Sequence, residues 1–345
     1  MTQIHPFFSS SPISDSSSSD ATACGTIAAL PDLALLMFTG ADAVSFLQSQ
    51  TTNDMATATA ERACLAGYCT AQGRLLSSAV YWRQAPSADD TLTLLGMLRR
   101  DILAATQQRL AMFVLRAKVK IQPAESLTVA GVTLAKERLN EFELRLGHAL
   151  PDQPWGISQQ ATGTWIVAPA EDPSGLRYWW VAAPDQGQAI AARELNLAHT
   201  TSESWQASDI RAGLPWICVQ TRDLFIPQTI NLDLIQGVSF TKGCYPGQEV
   251  VARSHYRGTL KKRMALGWCK SETVSLASDI VELSNPDQPC GRVINQSWDG
   301  QRQWLLFECS FDALDRAGLC LAGKAEDPIQ LQPLPYPLPR PGQSL

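Results

Sequence analysis

Apolar positions along this chain recur with two periods, every second residue in short runs and every third or fourth in longer ones. Two short apolar runs between Thr26 and Phe38 flank Pro31-Asp32, which predicts two strands joined by a tight turn. Asp42 stands where the N-cap of a helix belongs, and that helix carries Val44, Phe46, Leu47 and Gln50. Ala63 to Cys69, Leu75 to Trp82 and Thr91 to Leu95 read as strands, with a polar loop at Pro86 to Asp90. Leu98, Ile102, Ala105, Leu110 and Phe113 recur near helical spacing, so an amphipathic helix is predicted over Leu98 to Phe113.

The alternation then repeats. Lys118 to Val132 reads as two strands around Pro123-Ala124-Glu125, Leu134 to Leu146 as a helix, and Pro151 to Gln160 as a loop. Strands at Trp165 to Ala168 and Arg177 to Ala182 precede a predicted helix from Gln186 to His199. Thr200-x-x-Glu203 has the form of a capping box opening a helix from about Thr201 to Arg211, closed by Gly213 and Pro215. Such a pattern predicts mixed α+β units with helices on one face of mainly antiparallel sheet. Past Gly258 short strands dominate: Arg263 to Cys269, Asp279 to Leu283, Gly291 to Gln296 and Gln303 to Glu308, with turns at Asn285-Pro286-Asp287 and Asp299-Gly300. A small antiparallel barrel is expected there, followed by an extended Pro-rich tail from Leu331 to Pro341.

With 345 residues, the chain exceeds the roughly 100–200 residues of one domain, so two or three packed units are expected. The formal net charge of −5 argues against a bulk nucleic-acid binder and leaves room for a local basic patch. Nine cysteines, an odd number without a C-x-x-C pair, point to a reducing compartment. His5, His148, His199 and His255 form no ligand spacing with them, so no permanent metal is expected. Without an apolar stretch of about 20 residues no membrane span is expected. The Ser-rich start lacks Lys and Arg, so residues 1–25 read as a disordered leader and the protein as cytoplasmic.

Chemistry concentrates in Phe225 to Gly258, centred on Lys242-Gly243-Cys244-Tyr245-Pro246-Gly247-Gln248-Glu249. Tyr245-Pro246-Gly247-Gln248 fits a type II turn, with Pro presetting φ and Gly supplying positive φ. Lys242 and Arg253 would lower the pKa of a thiol held beside that turn, which makes Cys244 the candidate reactive or metal-touching cysteine. The alternative is a small buried hydrophobe, the role expected of the other eight. Arg253, His255, Arg257, Lys261, Lys262 and Arg263 form a basic run suited to an anion such as a glutamate tail or phosphate. Arg253 and Arg257 carry that role better than Lys261 to Arg263, which are expected on a solvated loop face.

K-G-C-Y-x-G-Q-E, preceded by F-I-P-Q-x-x-N-L and followed by V-A-R-x-x-x-R-G, resembles the signature of YgfZ proteins, folate-binding relatives of the glycine-cleavage aminomethyltransferase. The likeness extends to Gly40-Ala41-Asp42, Phe46-Leu47-Gln48, Thr51 to Asp54, Gly213-Leu214-Pro215 and Gln332 to Tyr336, and covers about Thr26 to Leu338. It implies an aminomethyltransferase-like folate-binding core of two ferredoxin-like units over residues 26–260 and a C-terminal β-barrel over 261–345. It also implies tetrahydrofolate binding and service to iron–sulfur cluster assembly or repair in client enzymes, among them the radical enzyme that methylthiolates tRNA. Contact with tRNA would be at most indirect.

By the same resemblance, the reactive pair is Cys244 and Lys242, and the folate contacts are Trp205, Leu33, Tyr245, Gln248, Glu249, Arg253 and Arg257. Two positions depart from the pattern. Leu33 stands where a relative carries a tryptophan, and Arg211 where an acid is expected, although an arginine has no acceptor for a pterin. Gln72 to Ser78 replaces the enzyme's acid-bearing segment, and neither Ser77 nor Ser78 ionises near neutral pH. The readings that stay open are an accessory factor, a folate-dependent aminomethyltransferase, and a non-catalytic RNA or protein adaptor.

Overall fold

The computed structural model describes residues 23–85, 91–191, 195–256, 260–316 and 318–340. Most of the expected leader, the Pro86 to Asp90 loop and Arg257 therefore lie outside the described residues. Cys24 is buried and strand β1 (Gly25–Ala29) follows at once. The Leu33 amide donates to the Leu30 oxygen at 3.1 Å across Pro31-Asp32, and strand β2 (Leu33–Thr39) leaves the turn. The two strands do not pair with each other; each enters a different sheet.

Strand β2 lies in a five-stranded sheet of order β3-β4-β5-β2-β6, made with β3 (Cys64–Cys69), β4 (Leu75–Arg83), β5 (Thr93–Arg99) and β6 (Lys120–Pro123). Strand β1 lies in a six-stranded sheet of order β11-β1-β7-β10-β9-β8. Its other members are β7 (Thr128–Ala135), β8 (Ile157–Gln160), β9 (Gly163–Ala168), β10 (Gly175–Ala182) and β11 (Leu197–His199). Both sheets are antiparallel except where β11 runs parallel to β1.

Tertiary pairing moved several expected boundaries. Leu98 and Arg99 complete the ladder of β5 against β2, so helix α2 (Arg100–Ala111) starts after them. Strand β7 is buried on both faces, which erases the alternation that marks a half-exposed strand. The expected Leu134 helix is accordingly shortened to α3 (Leu139–Leu146). The segment expected as a loop before Gln160 contributes β8, and the helix expected to reach His199 divides into α4 (Pro184–Ala191) and β11. Asp42 is the N-cap residue of helix α1 (Ala43–Gln48) as expected, but its side chain makes no bond to the helix; its Oδ2 accepts from the Lys118 amide at 2.7 Å. Helix α5 (Ser202–Arg211) is capped by Thr201, whose side chain accepts from the Ser204 amide, so Thr200 is not the cap.

Helix α6 (Gln248–Tyr256) follows the signature turn where sequence periodicity had shown no helix. The C-terminal sheet has the order β16-β13-β14-β15-β12-β17, with β12 (Lys262–Cys269), β13 (Asp279–Glu282), β14 (Asn285–Trp298), β15 (Gln303–Ser310), β16 (Leu319–Leu321) and β17 (Gln330–Gln332). Helix α7 (Phe311–Arg316) leads from β15 toward β16. A bridge between Cys320 and Pro328 draws the two edges toward each other, so the sheet curls into a half-barrel. Glu282 faces Asn285 across the first hairpin, which places its turn at Leu283-Ser284, ahead of the expected Asn285-Pro286-Asp287. Asp299-Gly300 does turn, with Gly300 at φ +98°.

Helix α5 joins the sheets. It packs on β1 of one and on β14 and β15 of the other, and Glu203 accepts from the Ser297 hydroxyl at 2.8 Å. The main apolar core runs through this junction, from Leu35 and Trp82 to Trp205, Trp216, Met264 and Leu306. Among the described residues no helix is long and apolar enough to cross a membrane.

Candidate functional site

The signature segment is fastened at both ends before its turn begins. Asn231, in the left-handed region at φ 59°, donates through Nδ2 to the Met264 oxygen at 3.0 Å and accepts from the Met264 amide at 3.3 Å. Gln228 Nε2 donates to the Val251 oxygen at 2.5 Å, tying α6 to the chain that precedes it. Arg263 makes a bidentate pair with Asp233 at 2.6 and 2.9 Å, both side chains buried. It is thus a structural ion pair and not part of a solvated face; Lys261 is exposed as expected, and Lys262 is half-buried.

The turn itself has the expected geometry. The Gln248 amide donates to the Tyr245 oxygen at 3.2 Å and Gly247 takes φ +81°. A Cβ on Gly247 would lie 2.4 Å from the Thr70 oxygen and 2.6 Å from Gly73 Cα, so the turn seats directly on the β3–β4 connection. Only a glycine allows that approach.

Lys242 points inward. Its Nζ donates to the Gln48 oxygen and, at 2.6 Å, to the Thr51 oxygen, and lies 4.9 Å from the centroid of the Tyr245 ring. Burial pushes its pKa down to about 8 because the charged form loses solvation. Burial likewise pushes the Tyr245 phenol up. Arg253 is exposed and pairs with Glu249 at 2.7 Å along α6. Both cations expected near the thiol thus have other partners. Cys244 is nonetheless the exposed cysteine of the nine, all of which are free; seven are buried and Cys290 is half-buried.

The other predicted residues lie around α5. Leu33, buried, faces Arg99 in the ladder between β2 and β5. Trp205 packs closely against Gly131, with the Arg177 guanidinium 4.1 Å from its ring centroid and its own Nε1 buried without a partner. One turn later on the helix, Asp209 accepts from Arg177 at 2.5 Å and from Trp216 Nε1 at 3.0 Å. Burial raises the Asp209 carboxyl, opposed by Arg177 and Trp216. A cleft of about 80 Å³ opens beside this group, lined by Arg99, Asp209, Trp216, Cys218, Asn295 and Gln296 among others. Arg211 turns away from it, donating to Glu171 at 2.7 Å and to Ser208 at 3.0 Å. A larger cleft of about 350 Å³ is lined by Gln84, Gln159, Gln160, Gln186 and small residues and holds none of the predicted site residues.

Strand β4 connects the two groups. Its leading turn lies under Gly247, and Ser78 Oγ accepts from the Ile217 amide at 3.0 Å beside the cleft. The five steps from Gly73 to Ser78 span on the order of 15 Å. Ser77 Oγ is buried without a partner. Sequence reasoning did not single out Asp209 or Arg177. The signal was present in both: Asp209 follows the buried Trp205 by four residues and shares its face, and Arg177 interrupts an otherwise apolar strand.

Among solved structures, the glycine cleavage system aminomethyltransferase T from Bartonella henselae superposes with a TM-score of 0.65 over 92% of this chain and 88% of that one, at 11% identity. The architecture is thus that of an aminomethyltransferase, two α+β sheets and a curled C-terminal sheet. No protein-family model matches the chain. Over 324 residues it is 32% identical to the tRNA-modifying protein YgfZ of Yersinia pestis (strain Pestoides F), covering 91% of this chain and 93% of that one. With the tRNA-modifying protein YgfZ of Yersinia enterocolitica it shares 30% over 321 residues. The chain belongs to the YgfZ family.

Proposed function

We propose that this protein is a cytoplasmic, tetrahydrofolate-binding accessory factor for assembly or repair of iron–sulfur clusters in client enzymes, including a tRNA-methylthiolating enzyme. Residues 26–260 are its folate-binding core and 261–345 its barrel unit. The observation that carries this reading is the exposure of Cys244 on a rigidly seated turn while the other thiols are buried or half-buried; a thiolate there is a soft ligand open to a cluster or a client. Aminomethyl transfer is not assigned, because Ser77 and Ser78 offer no carboxylate to steer a proton.

The residues lining the α5 cleft suit a pterin in chemistry: Asp209 and Asn295 carry acceptor oxygens and Trp216 an aromatic face, while Trp205 lies buried behind them. The cleft is smaller than the roughly 300–1,000 Å³ of small-molecule pockets, so binding draws on rotation of lining side chains. Arg253, exposed on α6, can reach the glutamate tail by exchanging its Glu249 partner.

The test is Cys244→Ala. As an exposed substitution it should alter stability by no more than about 0.5 kcal/mol and leave tetrahydrofolate binding by calorimetry unchanged. It should fail to restore iron–sulfur enzyme activity in a deletion strain. Full restoration would remove the thiol from the mechanism, and absence of any calorimetric response in the parent would remove folate.

A further inference from the structure

Exposed apolar surface and unneutralised charge coincide at the end of α2. The segment from Arg109 to Lys120 holds Arg109, Arg116, Lys118 and Lys120 and no acid, in a chain of formal net charge −5. Within it Met112, Phe113 and Leu115 are 60%, 43% and 86% exposed, whereas the other large apolar side chains exposed among the described residues stand singly. Arg109 is half-buried, with its Nε shielded from solvent. From Arg116 onward exposure alternates strictly: Arg116, Lys118 and Lys120 are exposed, and Ala117, Val119 and Ile121 are half-buried. The segment continues into β6, the edge strand of its sheet, paired on one side to β2.

Three cations are therefore exposed at alternate positions where the chain enters β6: Arg116 on a bend, Lys118 in a tight turn closed by the Val119 amide on the Ala117 oxygen at 2.9 Å, and Lys120 in the strand itself. None of the three makes an ion pair with a described residue, although Asp42 touches the segment through the Lys118 amide. A flexible single strand can bring one phosphate to each of these exposed cations. Phe113 lies just before the ladder and offers a ring on which a base can stack, flanked by Met112 and Leu115. A protein partner fits less well, because lysine is depleted from protein interfaces. A bilayer fits less well too, because three apolar side chains bury little area.

We propose that this edge binds a single-stranded stretch of RNA, its phosphates along Arg116, Lys118 and Lys120 and a base on Phe113. This goes beyond the folate reading and does not depend on it. The test is fluorescence anisotropy of the full chain with a labelled unmodified tRNA transcript and with a labelled oligouridine, at several salt concentrations. The logarithm of affinity should fall with the logarithm of salt at a slope of about −2, the value for three phosphate contacts to a single strand. The triple variant Arg116→Gln, Lys118→Gln, Lys120→Gln should weaken binding at least tenfold and flatten that slope. Phe113→Ala should weaken it by about 10–100-fold at every salt concentration, and Lys261→Gln should leave it unchanged. Circular dichroism confirms that the variants are folded, and Phe113→Ser serves if Phe113→Ala is not. The proposal is overturned if the parent binds neither RNA at low salt, if the triple variant binds as the parent does, or if phosphatidylglycerol vesicles are bound in preference to RNA.

Discussion

Replacing Lys242 by methionine separates what its charge costs from what its hydrogen bonds supply. Burial lowers the ammonium from its usual 10.5 to about 8, so holding the charge inside costs about 3 kcal/mol at neutral pH. Against this, the ammonium satisfies the Gln48 and Thr51 carbonyls, and leaving each of two buried acceptors unpaired costs about 1–3 kcal/mol. The two effects nearly cancel, and Lys242→Met should lose only about 1 kcal/mol at pH 7. The sign of the pH dependence is more diagnostic than that size. Below pH 8 both folded and unfolded chains carry the charge, and its burial cost is present in full. Between about pH 8 and 10.5 the folded chain releases the proton while the unfolded chain keeps it, so the cost fades. The parent should therefore gain on the variant across that window, by up to about 3 kcal/mol. Urea unfolding of both proteins at pH 7, 8, 9 and 10 measures this, and subtraction removes the titrations they share. A difference that stays flat, or falls as pH rises, would refute the account of Lys242 as a charge held inside against its solvation.

Two further substitutions probe the frame around the site. Asp209→Asn leaves the Arg177 guanidinium buried without its counter-charge and should cost about 3–5 kcal/mol, read from the urea midpoint at constant slope. Gly247→Ala forces a left-handed residue to carry a Cβ against the backbone of Thr70 and Gly73. The conformation alone costs about 1–2 kcal/mol; the expected signs are a total loss above about 2 kcal/mol and faster alkylation of Cys244 as the turn lifts.

Much of this architecture was legible where one physical requirement dominates. The Pro246-Gly247 turn was readable because few residues other than glycine tolerate its backbone, and the strands of the C-terminal sheet because turn residues punctuate them. Strand β7 was not legible: buried on both faces, Val129 to Leu134 has no polar face to alternate with. Helix α6 was hidden because it is short and begins on Gln248-Glu249, a pair that reads as the end of a motif. At the site, the residue types that carry chemistry stood in the sequence, but their orientation did not. Lys242 is two residues from Cys244, and proximity along the chain suggested a shared charge environment; the carbonyls that hold its ammonium belong to Gln48 and Thr51, nearly two hundred positions away. Asp209 and Arg177 were likewise visible only as charges out of place.

The division of β1 and β2 between two sheets has a consequence for the order of events during synthesis. Strand β2 finds its neighbours in β5 and β6, complete once residue 123 has been made. Strand β1, made first, needs β7 on one side and β11 on the other, and Ile27 meets its partner His199 only after more than 170 further residues. At typical elongation rates of 5–20 residues per second, that edge waits roughly 10–30 s while the five-stranded sheet can already close. The oldest segment of the folded chain is thus among the last to be secured, and it arrives as the strap that binds the second sheet to a finished first one.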